Sequence, residues 1–429
     1  MDQDKTKQNI WFFHHYAVPP TMSGQIRPHN FGKKLKEAGM SVTVFAASYL
    51  HHSDINLISD RRPYLMHEDS GVPFVFINTP SSKKGLIYRI KNMATFYFGL
   101  ASVSKEYAKI NGKPDVIIAS SPHPLTMLAG IKVARRFNIP CICEVRDLWP
   151  EAIFAFGKLK PNSILGKLLQ AGEHWIYRNA DAIIFTKEGD TDYLKEKKWD
   201  LASGGDIDLA KCFYINNGVD IESFQKSIEE YPLHDTDLED TSKFNVIYAG
   251  SIRPVNDVGS LLDAAAILKD HSDIQFLIYG DGDQVSLLQD RIAQERLTNV
   301  KMKGYVEKKC IPFVLNKAGV NILNYSQSRY NWSRGNSSNK LFEYMASGKP
   351  IISTIKMGYC LLAKYNCGIS LNDGTAKELA QTILRVYEMP RWQYVEMSAN
   401  ARLAAADFDY KKLTEKLLAV IDIVKRNPK

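Results

Sequence analysis

The chain has 429 residues, enough for two domains of ordinary size, each with its own core. Its hydrophobic content of 45% and charged content of 24% are those of a soluble globular protein, and no apolar run reaches the ~18–20 residues that a membrane-spanning helix needs. The formal net charge of +8 is moderate and spread along the chain, which permits an anionic partner such as a phospholipid or a nucleoside diphosphate without demanding one. The opening MDQDKTKQNI is polar, mixed in charge and lacks a signal-peptide core, so a cytoplasmic location is expected. Ile10–Phe13 is then an apolar run of strand length, followed by His14-His15-Tyr16, Pro19-Pro20, Ser23-Gly24 and Arg27. Pro28–Ala38 reads as a helix closed by Gly39, and Val42–Ala46 as the next strand. Strand, glycine-containing loop, helix, strand is the start of a doubly wound parallel sheet.

Val72–Ile77 reads as a third strand. Ser81–Lys109 is helical and mixes Lys83, Lys84, Arg89 and Lys91 with Ile87, Tyr88, Phe96 and Phe98. Such a stretch can lie on an anionic membrane surface, or be a domain helix with a solvated basic face. Pro114–Ala119 and Cys141–Val145 are further strands. The second runs into Arg146-Asp147-Leu148-Trp149-Pro150-Glu151. Ligands of doubly wound sheets sit at the carboxyl ends of strands, which places Arg146, Asp147 and Glu151 as candidates to face a ligand. Asp147 is the candidate for contacting an acceptor or moving its proton; a salt bridge between Arg146 and Asp147 is the alternative. The six cysteines form no CxxC pair and read as buried reduced thiols. Ala182–Thr186 is a strand, Lys195–Lys198 and Ala202–Asp208 a polar, glycine-containing loop, and Asn216-Asn217-Gly218 a tight turn leading into a hinge. Glu229–Ser242 is acidic and poor in apolar residues, and reads as the inter-domain linker.

The second half opens with the strand Phe244–Ala249, the loop Gly250–Arg253 and a helix near Val258–Lys269. Phe276–Tyr279 is a strand ending in Gly280-Asp281-Gly282-Asp283, and Val320–Leu323 another. Tyr325, Tyr330 and Trp332 can stack on a ligand or pack a loop. The most informative stretch follows, Ser333–Pro350 (SRGNSSNKLFEYMASGKP). Asn336, Ser337 and Ser338 all suit a helix N-cap, and Leu341, Phe342 and Met345 supply a buried stripe at helical spacing. Asn339 and Glu343 are four apart and share the other face, with Lys340 beside them. A helix N-terminus preceded by small residues is an anion site, and a carboxylate one turn further in can bind sugar hydroxyls. Together they can hold the phosphates and a sugar of a nucleotide-sugar.

These motifs resemble those of glycosyltransferase family 4, retaining enzymes of the GT-B fold. SNKLFEYMASGKP and EVRDLWPEAI look like a subgroup that builds bacterial surface polysaccharides such as O-antigen and capsule, including transferases of N-acetylated amino sugars. The resemblance implies an α/β fold with two Rossmann-like doubly wound domains facing across a cleft. Residues 1–228 would be the acceptor-side domain, 229–242 the linker and 243–405 the nucleotide-sugar-binding domain, with 406–429 a helix crossing back to the N-terminal domain. It further implies that Gly24 and Gly280 approach the donor, and that backbone groups at Tyr305 and Val306 pair with its base. Arg253 and Lys340 would neutralise the diphosphate. Ser338, Asn339 and Leu341 at the helix start would line the donor site, and Glu343 would hold the donor. The family's first acid of this helix falls on Gly335, a departure that bears on how the donor sugar is held.

The implied function is metal-independent transfer of an N-acetylated hexosamine or deoxyhexosamine, with retention, from a UDP-linked donor to a lipid-linked saccharide. No cofactor, metal or nucleic acid is expected, and peripheral contact with the inner face of the cytoplasmic membrane would run through 81–109. Catalysis would be electrostatic stabilisation of the leaving phosphate plus positioning, with Asp147, Arg253, Lys340 and Glu343 as the acting residues. Two other readings stand beside this one. A nucleotide-sugar 2-epimerase would share the fold and act without an acceptor. A non-catalytic nucleotide-sugar-binding protein would bind the donor without turnover.

Overall fold

Short runs of β-branched and aromatic residues that are buried on both faces make parallel strands, and this chain builds two sheets from them. The computed structural model describes residues 8–426 except 23, 52, 70, 84, 156, 158 and 330, so Ser23, Lys84 and Tyr330 lie outside the described residues. The chain divides into two compact units, Met1–Asn216 with Leu413–Lys429, and Asn217–Lys412. No helix among the described residues is long and apolar enough to cross a membrane.

The first unit holds β1 (Asn9–His14), β2 (Ser41–Ala47), β3 (Tyr64–Asp69), β4 (Val72–Ile77), β5 (Val116–Ser120), β6 (Cys141–Val145), β7 (Ala182–Phe185) and β8 (Cys212–Tyr214). Their order is β3-β4-β2-β1-β5-β6-β7-β8, parallel except for β3 against β4. Trp11 of β1 is fully buried, 4.9 Å from the Phe45 ring and edge-on to Tyr107 at 5.5 Å. Such aromatic pairs add roughly 0.5–1.5 kcal/mol each beyond the area they bury. The helices at 27–37 and 86–111 lie close to their expected spans. Strand β3 was not expected, because YLMHED at a sheet edge is half-buried and partly charged.

The second unit holds β9 (Phe244–Ala249), β10 (Ile274–Tyr279), β11 (Val300–Gly304), β12 (Val320–Leu323), β13 (Ile351–Ser353) and β14 (Gly368–Ser370), ordered β11-β10-β9-β12-β13-β14 and parallel throughout. Residues 229–242, expected as a linker, lie inside this unit. Asp235 caps the short helix Thr236–Glu239 and accepts from Tyr279 Oη at 3.0 Å and Lys303 Nζ at 2.7 Å, while Leu238 is buried. Ion pairs and one apolar anchor hold this segment, so its hydrophobicity gave no sign of it.

One buried acid of the first unit sits outside any candidate site. Glu173 accepts from Tyr177 Oη at 2.8 Å and from Tyr193 Oη at 2.6 Å. Burial pushes its carboxyl up to about 8 from an ordinary 4.5, against the opposing effect of those two hydrogen bonds. Between these values the folded protein holds a proton that the unfolded chain has lost, so stability falls as pH rises across the window. Glu173→Gln keeps an acceptor for one tyrosine and a polar partner for the other. Its melting temperature, relative to wild type, is expected to climb between about pH 5 and about pH 8.5. A difference that stays flat over that range would show that Glu173 ionises normally.

Candidate functional site

In a doubly wound sheet the loops leaving two neighbouring strands diverge where the winding reverses, and ligands bind there. In the second unit that point lies between β9 and β12. The loop after β9 carries Gly250–Asn256, and the loop after β12 begins at Asn324. Asn324 Nδ2 donates to the Asn256 and Asp257 oxygens, both at 2.7 Å, and ties the two loops together. The helix Asn339–Ala346 closes the third side. Its Tyr344 hydroxyl accepts from Ala249 N at 3.2 Å and donates to Ala249 O at 3.1 Å, which sets the helix in register with the end of β9.

Lys340 is the centre of this group. Its Nζ donates to Tyr248 Oη at 3.2 Å and lies 4.8 Å from the Tyr248 ring centre and 4.4 Å from that of Tyr325. With the Asn256 amide turned so that its nitrogen faces Ser251 at 2.9 Å, its oxygen accepts from Lys340 Nζ at 3.2 Å. Desolvation brings the Lys340 ammonium down to about 7, with the Glu343 carboxylate opposing the fall. Burial raises the Glu343 carboxyl above its ordinary value, with Lys308 and Lys340 pulling the other way. Ser338 is the N-cap residue and its buried Oγ has no hydrogen-bond partner among the described residues. Asn336 Oδ1 instead accepts from Ser338 N at 2.7 Å. Asn339 is exposed and Leu341 buried in the stripe behind.

The other second-unit candidates divide by what holds them. Gly280 follows β10 at φ 143°, and a Cβ there would lie 1.8 Å from Gly250 O. A Cβ on Gly282 would lie 2.0 Å from Ile252 O, so the GDGD glycines are required by the packing of one loop on another. Arg253 and Tyr305 are exposed, and Val306 is half-buried just after β11. The Tyr325 ring also meets Trp332, at 5.2 Å.

In the first unit the winding reverses between β1 and β5. Arg146, just past β6, donates from Nη1 to His14 Nε2 at 3.1 Å and to Gln25 Oε1 at 2.6 Å. Because arginine only donates, His14 Nε2 is a bare acceptor. Burial, then the Arg146 charge, hold that imidazole neutral, down to about 3. Beside it, Asn92 donates to Pro80 O at 2.6 Å, which turns its oxygen toward His15 Nε2 at 2.7 Å. His15 Nδ1 is then the acceptor for His123 Nε2, also at 2.7 Å. Burial lowers both rings, His123 to about 3, so this chain is uncharged. Asp147 is exposed with Lys187 Nζ 3.7 Å away, and Glu151 pairs with Lys197 at 2.8 Å. A Cβ on Gly24 would meet Val18 Cγ2 at 2.7 Å.

Sequence reasoning missed Tyr248 and Asn256 beside Lys340, and the His14, Gln25 and histidine contacts beside Arg146. Asn256 carried one signal, a polar residue in the loop after β9. Among the described residues no group of three His, Cys, Asp or Glu side chains is placed to hold a metal ion. The desolvated Lys340 leads to a measurable expectation. NMR titration of labelled lysine side chains should show one amine with a midpoint near about 7, absent in Lys340→Met. If every lysine titrates near about 10, the ammonium is solvated and this geometry is wrong.

Residues 25–201 match the glycosyl transferase 4-like domain family, and residues 243–389 match glycosyl transferases group 1. TuaH of Bacillus subtilis (strain 168), a glycosyltransferase assigned to teichuronic acid biosynthesis, is 30% identical over 218 residues, 50% of this chain and 50% of TuaH. The match therefore spans about half the length of that curated relative. Among solved structures, Anabaena HepE in complex with UDP and glucose superposes with a TM-score of 0.64 at 16% identity, covering 96% of this chain and 99% of that one. The α,α-trehalose 6-phosphate synthase of Burkholderia multivorans superposes with a TM-score of 0.69 at 12% identity, covering 99% of this chain and 100% of that one. These two likenesses carry the fold.

Proposed function

The chain belongs to the glycosyltransferases of the GT-B fold, and from that premise we propose that it moves a sugar, with retention, from a nucleoside diphosphate to a lipid-linked saccharide in bacterial surface polysaccharide synthesis. The sugar is an N-acetylated hexosamine or deoxyhexosamine and the nucleotide is uridine. The observation that carries the donor half is the Lys340 ammonium, set over two tyrosine rings at the start of the helix Asn339–Ala346. A cation there, the first amides of the helix and the unpartnered Ser338 Oγ are donors without enough acceptors, which suits a diphosphate. HepE, which shares the fold, has been solved with UDP.

In this reading Lys340 and Arg253 take up the charge that builds on the leaving phosphate. Glu343, one turn further in, accepts from donor hydroxyls, most simply the ribose. The acceptor hydroxyl oxygen bonds to the anomeric carbon as the bond from that carbon to the phosphate oxygen breaks, and the departing phosphate takes the hydroxyl proton. No metal ion enters the step. Arg146, held by His14 and Gln25, with Asp147 and Glu151, belongs to the acceptor side.

A thermal-shift screen against UDP, GDP, ADP and their sugars tests the donor. A ligand that binds the folded state alone raises the melting temperature. UDP and a UDP-sugar are expected to raise it more than the other nucleotides, and no shift with any of them would refute the reading. Glu343→Ala should lower kcat/KM for the donor at least about tenfold, roughly 1.4 kcal/mol. Unchanged donor kinetics in a folded variant would remove Glu343 from the site.

A further inference from the structure

Two helix starts of the first unit leave large apolar side chains in water. Leu86, Ile87 and Ile90 open the helix Leu86–Asn111, with Ile87 79% exposed. Ile164, Leu165 and Leu168 open the helix Ile164–Asn179, with Ile164 90% exposed. Apolar residues scattered singly on a surface need no explanation, but three in the first turns of each of two helices do. The helix Pro124–Phe137 links the pair. Its Lys132 donates to Tyr97 Oη at 2.7 Å and its Arg136 to Ala101 O at 2.9 Å, while on the other side Arg135 donates to Asn179 Oδ1 and covers the Trp175 ring at 5.4 Å. The three helices therefore form one layer on one face of the sheet.

Both starts lie at the same edge of that layer. Asn92, in the second turn of the first helix, reaches His15 just past the end of β1, which puts this helix start at the carboxyl edge of the sheet. The helix Ile164–Asn179 ends beside the start of β7, so its own start lies at the carboxyl edge as well. Arg146 and Asp147 follow β6 at that edge.

Along the chain the charge beside these residues is mainly basic, with exposed Asp54 paired to Lys83 as the acidic exception. Residues 81–105 carry five basic residues and 152–172 carry three, with no Asp or Glu in either stretch, in a chain that has 47 acidic residues. Arg89, Lys91, Lys160 and Lys167 are all exposed. Two copies of such a surface would repel each other. An anionic bilayer offers what it lacks, apolar chains for the aliphatic tips and acidic headgroups for the cations.

We propose that these two helix starts together form a membrane-docking surface that seats the first unit, carboxyl edge down, on an anionic lipid bilayer. The segment 159–168 is the second anchor beside the one within 81–109. This deepens the lipid-linked acceptor proposed above and rests on it, since docking at this edge brings the Arg146 side of the sheet to the layer that holds such an acceptor.

The test is sedimentation of the full chain with vesicles of phosphatidylcholine and phosphatidylglycerol in equal parts, with no nucleotide or sugar present. Wild type should pellet with these vesicles, stay in solution with pure phosphatidylcholine, and lose binding as salt is raised. Ile87→Glu and Ile164→Glu, both at exposed positions, should each lower the vesicle partition about tenfold while melting as wild type does. Wild-type protein that ignores anionic vesicles overturns the proposal. So do variants that bind as wild type does, or a wild-type dimer that either variant dissociates, which would make a second copy the occupant. Vesicle binding in the expected pattern by a chain that binds no nucleoside diphosphate would sink the donor reading and leave this surface standing.

Discussion

The first unit is closed by one buried ion pair. Arg27, 3% exposed, meets Glu144, 4% exposed, at 2.8 Å. Moving two charges out of water costs several kcal/mol each, so such a pair is tolerated only where its remaining hydrogen-bond capacity is filled. Here it is filled from distant parts of the chain. Ser120 Oγ, at the end of β5, donates to Glu144 Oε1 at 2.6 Å. Arg27 Nη1 donates to Asn216 O at 2.5 Å and Nη2 to Ile215 O at 2.8 Å. Burial alone would raise the Glu144 carboxyl; the Arg27 charge and hydrogen bond hold it below its ordinary value. The pair thus fixes the start of the first helix, the ends of β5 and β6 and the last residues of the unit in one arrangement. Arg146 and His123 follow those same strand ends, and His14 and His15 stand beside them at the end of β1.

The two units use the same topology to different electrostatic ends. Each reverses its winding beside its first strand and gathers polar groups there. In the first unit the histidines are neutral and the charge is carried by Arg146, braced from two sides. In the second, a lysine is kept close to losing its charge by burial against two aromatic rings. An anion arriving beside Lys340 would favour the ammonium, so the second site can strengthen its own attraction as it fills. A solvated lysine, already charged, has no such reserve.

Much of this was legible in the sequence, for reasons that differ from residue to residue. The parallel strands announced themselves because both faces are buried and the apolar runs are unbroken. Lys340 and Glu343 were legible because helical spacing puts them near one another at the start of a helix. The partners of these groups were not. His14 and Arg146 are 132 positions apart, and Tyr248 lies inside a run that reads only as strand. Such contacts are made by the strand order, which no local pattern carries. Strand β3 and the segment 229–242 were hidden for the opposite reason, because ladder hydrogen bonds and ion pairs hold them more than burial does.

The last helix begins in the second unit and, from Leu413, belongs to the first. The first unit is therefore discontinuous in the chain, while the second is an uninterrupted stretch. During synthesis the second unit can complete its contacts as soon as its own residues emerge. The first has to wait, with its sheet made and the helix segment from Leu413 unmade, until the residues after 412 have left the ribosome. Its early sheet is then the species that chaperones would meet, and a truncation near residue 412 would injure the half of the molecule that was translated first.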